Sequence, residues 1–195
     1  MTLESNQHGV FVTLGATNHS DVERDVHDYY ATDPHAVECL LDNVKFNHHI
    51  WECACGEGHI SDVLERHGYD VTSTDLIDRG YGVGGVDFLE CNSVFNGDII
   101  TNPPYKHAIK FVSHALDVVP TGNKVAMLLR ILFLEGKSRR ELFNTSPPRE
   151  VLVFSSRISC ALNGDFENNG IAAQGFAWFV WEKGYQGNPI IKWIN

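Results

Sequence analysis

Apolar residues recur along this chain in two patterns, short continuous runs and stripes at helical spacing, and the two alternate. Ala36, Val37, Leu40 and Leu41 form the first stripe, behind a Thr32-Asp33-Pro34 start in which Asp33 caps the helix and Pro34 sits in its first turn. A second helix is predicted from His59 to His67, closed by Gly68. Ala108, Phe111, Val112, Ala115, Val118 and Val119 predict a third over Lys106–Val119, stopped by Pro120-Thr-Gly122. Gly136–Phe143 reads as a short basic helix before Pro147-Pro148, and Asp21–Tyr30 as a short solvated one. The continuous runs predict strands at His49–Glu52, Tyr69–Thr74, Gly97–Thr101, Lys124–Phe133, Val151–Phe154, Ala177–Trp181 and Ile190–Ile194. Val86–Leu89 is counted third among them. Strands alternating with helices describe an α/β chain with a doubly wound, mostly parallel sheet, here finished by a C-terminal antiparallel hairpin. One domain over residues 21–195 follows, after an irregular segment 1–20 that has no sustained period.

Composition adds limits. At 195 residues and 43% hydrophobic, the chain suits one well-buried domain. No apolar run reaches membrane-span length and the first residues lack the regions of a signal peptide, so the expected location is cytoplasmic. Five cysteines without a Cys-x-x-Cys pair, and ten histidines without a His-Glu-x-x-His pattern, indicate neither a disulfide scaffold nor a metal site. The net charge of −10 conceals an asymmetry: residues 1–100 carry 4 basic against 18 acidic side chains, residues 101–160 carry 9 against 4. Lys106, Lys110, Lys137, Arg139, Arg140, Arg149 and Arg157 are therefore candidate phosphate contacts, with ordinary surface solvation as the competing reading.

The stretch that organises the rest is Asp98-Ile-Ile-Thr-Asn-Pro-Pro-Tyr105. Pro103 biases Asn102 away from the α region and fixes its own φ, so the turn is stiff. Open α/β sheets place ligands at such strand ends. Upstream, Glu52-Cys-Ala-Cys-Gly-Glu-Gly58 is a small-residue turn after a strand, and glycines there permit close backbone approach to a ligand. Ser61 stands where a dinucleotide fingerprint needs its third glycine, which counts against NAD. Asp75 ends the second strand, where a carboxylate either caps a turn or accepts from vicinal hydroxyls.

Asp98–Tyr105 resembles the catalytic motif of amino-group methyltransferases that use S-adenosylmethionine, and Asn at its first functional position resembles the N6-adenine branch. Tyr30-Ala-Thr-Asp-Pro-His-Ala-Val37, Glu52–Gly58, Ser73-Thr-Asp-Leu-Ile-Asp78 and Ala177-Trp-Phe-Val-Trp-Glu-Lys183 fall in the order of small phage and prophage DNA adenine methyltransferases. The likeness runs from about residue 28 to the C-terminus. It implies a Rossmann-like methyltransferase fold and a catalytic set of Asn102, Pro103, Pro104 and Tyr105. The side-chain oxygen of Asn102 and the carbonyl of Pro103 would accept the two amine protons, and Tyr105 would stack on the base. The implied cofactor set is Thr32, through its hydroxyl and the open N–H groups of the helix start, with Glu52, Cys53, Gly56 and Gly58 for the amino-acid part. Asp75 would take the ribose, Leu76 would cover the adenine with Ile77, and Asp87 with Phe88 would hold it. Asp87 and Phe88 read equally as a turn cap and a core aromatic.

The implied partner is DNA, double-stranded with the target base flipped out. Lys106, Lys137, Arg139, Arg140 and Arg157 are the expected nucleic-acid contacts, with Phe166 in the long 157–174 loop either stacking on the extruded base or anchoring the loop. Related motifs also act on adenine in RNA and on protein glutamine, and a non-catalytic nucleic-acid binder of the same fold is a further alternative.

Overall fold

Alternating runs and stripes produce one mixed sheet in the computed structural model, which describes residues 30–156, 158, 160–162 and 175–195. The expected helix Asp21–Tyr30 and the segment 1–20 lie outside the described residues, apart from Tyr30. So do Arg157 and Phe166. Nine strands are described: β1 Tyr30–Thr32, β2 His49–Glu52, β3 Asp70–Ser73, β4 Asp98–Thr101, β5 Lys124–Arg130, β6 Glu150–Phe154, β7 Cys160–Leu162, β8 Phe176–Glu182 and β9 Ile190–Ile194. Four helices accompany them: α1 Pro34–Asn43, α2 His59–Arg66, α3 Ala108–Val118 and α4 Arg140–Thr145.

Seven strands form the main sheet in the order β3-β2-β4-β5-β8-β6-β9, and β1 pairs separately with β7. β2, β3, β4 and β5 run parallel, while β8 lies antiparallel to both β5 and β6. The two last strands oppose each other in direction, as expected of a terminal hairpin, yet they do not exchange hydrogen bonds. β6 lies between them, antiparallel to β8 and parallel to β9.

Both faces of the sheet are covered, which is why its central strands are apolar throughout. Val125, Met127 and Leu129 of β5 pack on the side of α3, with Phe88, Phe111 and Phe179. Ala126 and Leu128 face α1 and α2. Two buried polar groups tie the layers together. Trp178 Nε1 donates to the Ala36 carbonyl at 2.7 Å, tying α1 to β8. Asp98, 2% exposed, accepts from the N–H groups of Asn47 (2.6 Å) and Lys124 (2.8 Å) and from Asn123 Nδ2 (3.1 Å). That carboxylate fastens the start of β4 to its neighbours, so the strand delivering Asn102 is fixed at its root.

Three local expectations are revised. Val86–Leu89 is no strand. Asp87 accepts from the Leu89 N–H at 3.0 Å and starts a 3-10 turn at Phe88–Glu90. β5 ends at Arg130 although the apolar run continues: the Ile131 N–H still reaches the Gly175 carbonyl, the next partner in the β5–β8 register, but Ile131–Leu134 then closes into a 3-10 turn. The basic helix splits into a 3-10 turn at Lys137–Arg139 and α4.

Candidate active site at the strand ends

A cavity of about 370 Å³ opens at the C-terminal ends of β2, β3 and β4. Cofactor and small-molecule sites span roughly 300–1,000 Å³, so its size is suitable for one. Its wall combines β1, the Glu52–Cys55 turn, Asp75 to Ile77, Asp87 to Leu89, Asn102, Pro104 and the start of α3.

Asn102 is held in one orientation. Its Nδ2 donates to the Tyr30 carbonyl and to Thr32 Oγ1, each at 3.1 Å. A carbonyl oxygen only accepts, so the amide nitrogen must face β1 and the oxygen must point the other way. Asn102 Oδ1 is buried and has no hydrogen-bond partner among the described residues. An orphan acceptor at a strand end, in a residue that lines a cavity, is prepared for an N–H donor. Thr32 is 2% exposed, and because its oxygen accepts from Asn102 its own proton is available for a second group.

Pro103 is buried and does not line the cavity, whereas Pro104 does. Tyr105 forms the backing of the site rather than its wall. Its ring stacks with Tyr30 (centroids 5.8 Å, 27°) and packs at 5.8 Å on Phe176, with the Arg130 guanidinium 4.8 Å from its centroid. Arg130, a charge inside an apolar strand, thus finds an aromatic face.

The expected cofactor residues separate into two groups. Thr32, Glu52, Cys53, Asp75, Leu76, Asp87 and Phe88 line the cavity; Gly56 and Gly58 do not. Gly56 acts through its N–H, which donates to Asp75 Oδ2 at 2.8 Å. The other Asp75 oxygen accepts from the Ile77 N–H at 2.8 Å. Asp75 is thereby oriented by the two loops it joins, and each oxygen keeps a lone pair for a further donor. Gly58 caps α2 at φ +88° against the ring of Tyr81.

Glu52 is 1% exposed and accepts from both the N–H and the hydroxyl of Ser61, whose oxygen lies 2.6 Å from Ser73 Oγ. Burial raises its pKa well above the ordinary 4.5 despite those bonds. Its Oε2 takes both Ser61 donors, so Glu52 braces the start of α2. Burial likewise pushes the Cys53 thiol up and the Cys55 thiol up to about 12, which leaves both neutral and unreactive. Phe88 is 2% exposed, edge-on to Trp51 and against Phe111 and His114, so its ring is largely core. The start of α1 offers fewer donors than expected. Pro34 has none, the His35 N–H donates to Asp33 Oδ1, and the Ala36 N–H to the Asp33 carbonyl.

The basic residues are scattered. Lys106, His107 and Lys110 line the rim with Arg79. Lys137 and Arg140 are exposed beyond the end of β5. Arg139 is engaged within its own chain, over the Phe133 ring at 4.8 Å and donating to the carbonyls of Leu132 and Glu135. Arg149 pairs with Glu182 at 2.8 Å. Among the described residues no cluster of three or more metal-binding side chains occurs, and no helix is long and apolar enough to cross a membrane. β1 is the part of the site that hydrophobic pattern does not disclose. Tyr30, Ala31 and Thr32 are too few for a period, and only their neighbourhood in the Tyr30–Val37 motif marks them.

Comparison with known proteins finds no matching family model and no matching curated protein. Solved structures do match. A protein assigned to the class I S-adenosylmethionine-dependent methyltransferases of Listeria monocytogenes aligns over 82% of this chain and 62% of its own, with TM-score 0.56 and 11% identity. The M protein of the type I restriction enzyme EcoKI aligns over 84% of this chain and 46% of its own, at TM-score 0.55 and 15% identity. A protein assigned as an RNA methyltransferase of Pyrococcus horikoshii aligns over 76% and 79%, at 0.51 and 15%. The chain thus spans less than two thirds of the first two, and at these identities the likeness establishes a shared Rossmann-like fold.

Proposed function

We propose that this chain transfers a methyl group from S-adenosylmethionine to the N6 amine of adenine in DNA. The residues fit such a donor. Thr32 has a hydroxyl proton to give to its carboxylate, the loop 53–55 leaves room beside β2, and the Asp75 carboxylate is oriented to accept from ribose hydroxyls. When bound, the sulfonium supplies an electrophilic methyl group.

The chain's own contribution is made at Asn102. An exocyclic amine is a weak nucleophile because its lone pair is delocalised into the ring. Accepting one N–H at Asn102 Oδ1 and the other at the Pro103 carbonyl favours the pyramidal amine and stabilises the positive charge that grows on nitrogen. The proton then leaves to solvent. The flipped base would take its place against Tyr30, the member of the Tyr30–Tyr105–Phe176 aromatic group that lines the cavity.

The observation that carries this reading is the buried, unpartnered Oδ1 of Asn102, fixed by the two bonds on its own nitrogen. Incubation with labelled cofactor and duplex DNA, single-stranded DNA, RNA and protein substrates tests it. Label should enter adenine in DNA, and Asn102→Ala should abolish transfer while calorimetric cofactor binding persists. Label in RNA or protein moves the substrate; transfer surviving Asn102→Ala ends the mechanism.

A further inference from the structure

Beyond Arg130 the chain does something costly. Leu132 and Leu134 are 61% and 43% exposed, while Phe133 between them is 5% exposed and packed against Phe143, Phe179 and Trp181. The turn that displays them is braced from three sides. Ile131 donates its N–H to the Gly175 carbonyl at 2.9 Å, Phe133 is sunk in the core, and Arg139 lies over Phe133 while donating to the carbonyls of Leu132 and Glu135. Leaving a leucine wet forfeits burial energy, and a braced turn with two such residues is unlike the scattered exposure of ordinary surfaces.

Its position is defined by register. Thr101 of β4 lies opposite Met127 of the parallel β5, and β5 runs on to Arg130, whose guanidinium sits on Tyr105. Ile131–Leu134 therefore projects at the same end of the sheet as Asn102. Lys137 and Arg140 follow immediately, both exposed, and among the described residues neither forms an ion pair. Apolar tips flanked by free cations match stacked bases flanked by phosphates.

We infer that Ile131–Leu134 is a wedge for duplex DNA: Leu132, supported by Leu134, enters the gap left in the stack when the target adenine swings toward Asn102, and Lys137 and Arg140 hold the adjoining phosphates. This rests on the methyl-transfer reading above and adds how the base is kept out. Side chains that fill or pry open a base step offset an unstacking cost of a few kcal/mol.

The test compares a duplex in which the target adenine is paired with one in which an abasic site replaces its partner. Leu132 is exposed, so Leu132→Ala should fold normally. We expect kcat/KM to fall about tenfold on the paired duplex and by about twofold or less on the abasic one, where the stack is already weakened. Lys137→Ala with Arg140→Ala should lower the slope of log affinity against log salt by about 2 on either duplex. Equal losses on both duplexes, or none on either while wild type methylates both, overturn the wedge alone. A wild-type chain inactive on both overturns the methyl-transfer reading, and the wedge falls with it.

Discussion

Thr32 Oγ1 lies 3.1 Å from Asn102 Nδ2, although the two residues are seventy positions apart in sequence. The contact aims the amide, because a nitrogen shared between a hydroxyl and the Tyr30 carbonyl has no other orientation that satisfies both. Asn102→Asp is the sharp probe. It retains an acceptor facing the cavity but sets a carboxylate oxygen against the Tyr30 carbonyl, so turnover should fall by about 10²-fold or more in a labelled-methyl assay. Thr32→Val leaves the Tyr30 bond in place and should cost less.

Glu52 makes stability depend on pH in an unusual direction for a carboxylate. Its folded pKa is raised above 4.5, so between 4.5 and that raised value the folded state holds a proton that the unfolded state has lost. Stability from this group is therefore full below 4.5 and declines as pH rises through the window. Glu52→Gln keeps an oxygen for both Ser61 donors and removes the ionisation. Urea midpoints taken from pH 4.5 upward should show wild type losing ground to Glu52→Gln, and parallel profiles would refute the assignment.

Asp98 has no part in the chemistry, yet β4 depends on it. Asp98→Ala strands three donors, two of them backbone N–H groups, and should cost about 3 kcal/mol or more in denaturant unfolding. Asp98→Asn should cost less, since one acceptor oxygen survives.

Gly58 sits at φ +88°, and a Cβ there would approach the Tyr81 ring to 2.5 Å. Gly58→Ala should destabilise the fold by about 1 kcal/mol or more through backbone strain alone. Because the turn it ends also presents Cys53 to Cys55 to the cavity, cofactor affinity measured by calorimetry should weaken too. Adding Tyr81→Ala should relieve the clash and leave the strain, restoring affinity only in part.

Much of this architecture was legible in residue order. The α1 and α3 stripes are long and regular, Asp33-Pro34 is a strong start signal, and β2, β4 and β8 are apolar runs bounded by turn residues. What escaped detection depends on partners distant in sequence. β6 inserts between β8 and β9 because sheet edges are chosen by packing, while a short loop suggested direct pairing of the last two strands. β5 gives way at Ile131 to a 3-10 turn although the apolar run goes on to Phe133, a change that no local pattern records. At the site, residue types pointed to Asn102, Asp75 and Glu52. Residue types do not show that Glu52 gives one oxygen to both Ser61 donors while Asp75 splits its two oxygens between the Gly56 and Ile77 N–H groups, or that Tyr30 contributes its backbone carbonyl.

The isolated pairing of β1 with β7 has a consequence for assembly. Tyr30 through Thr32 stand opposite Leu162 through Cys160, outside the seven-stranded sheet. A nick or excision just before Asp33 would leave every long strand and both hydrophobic layers untouched, and by spectroscopy such a clipped molecule should pass for intact. The Asn102 amide, deprived of both tethers, would be free to rotate. Soundness of the scaffold and readiness of the site are thus separable properties in this protein.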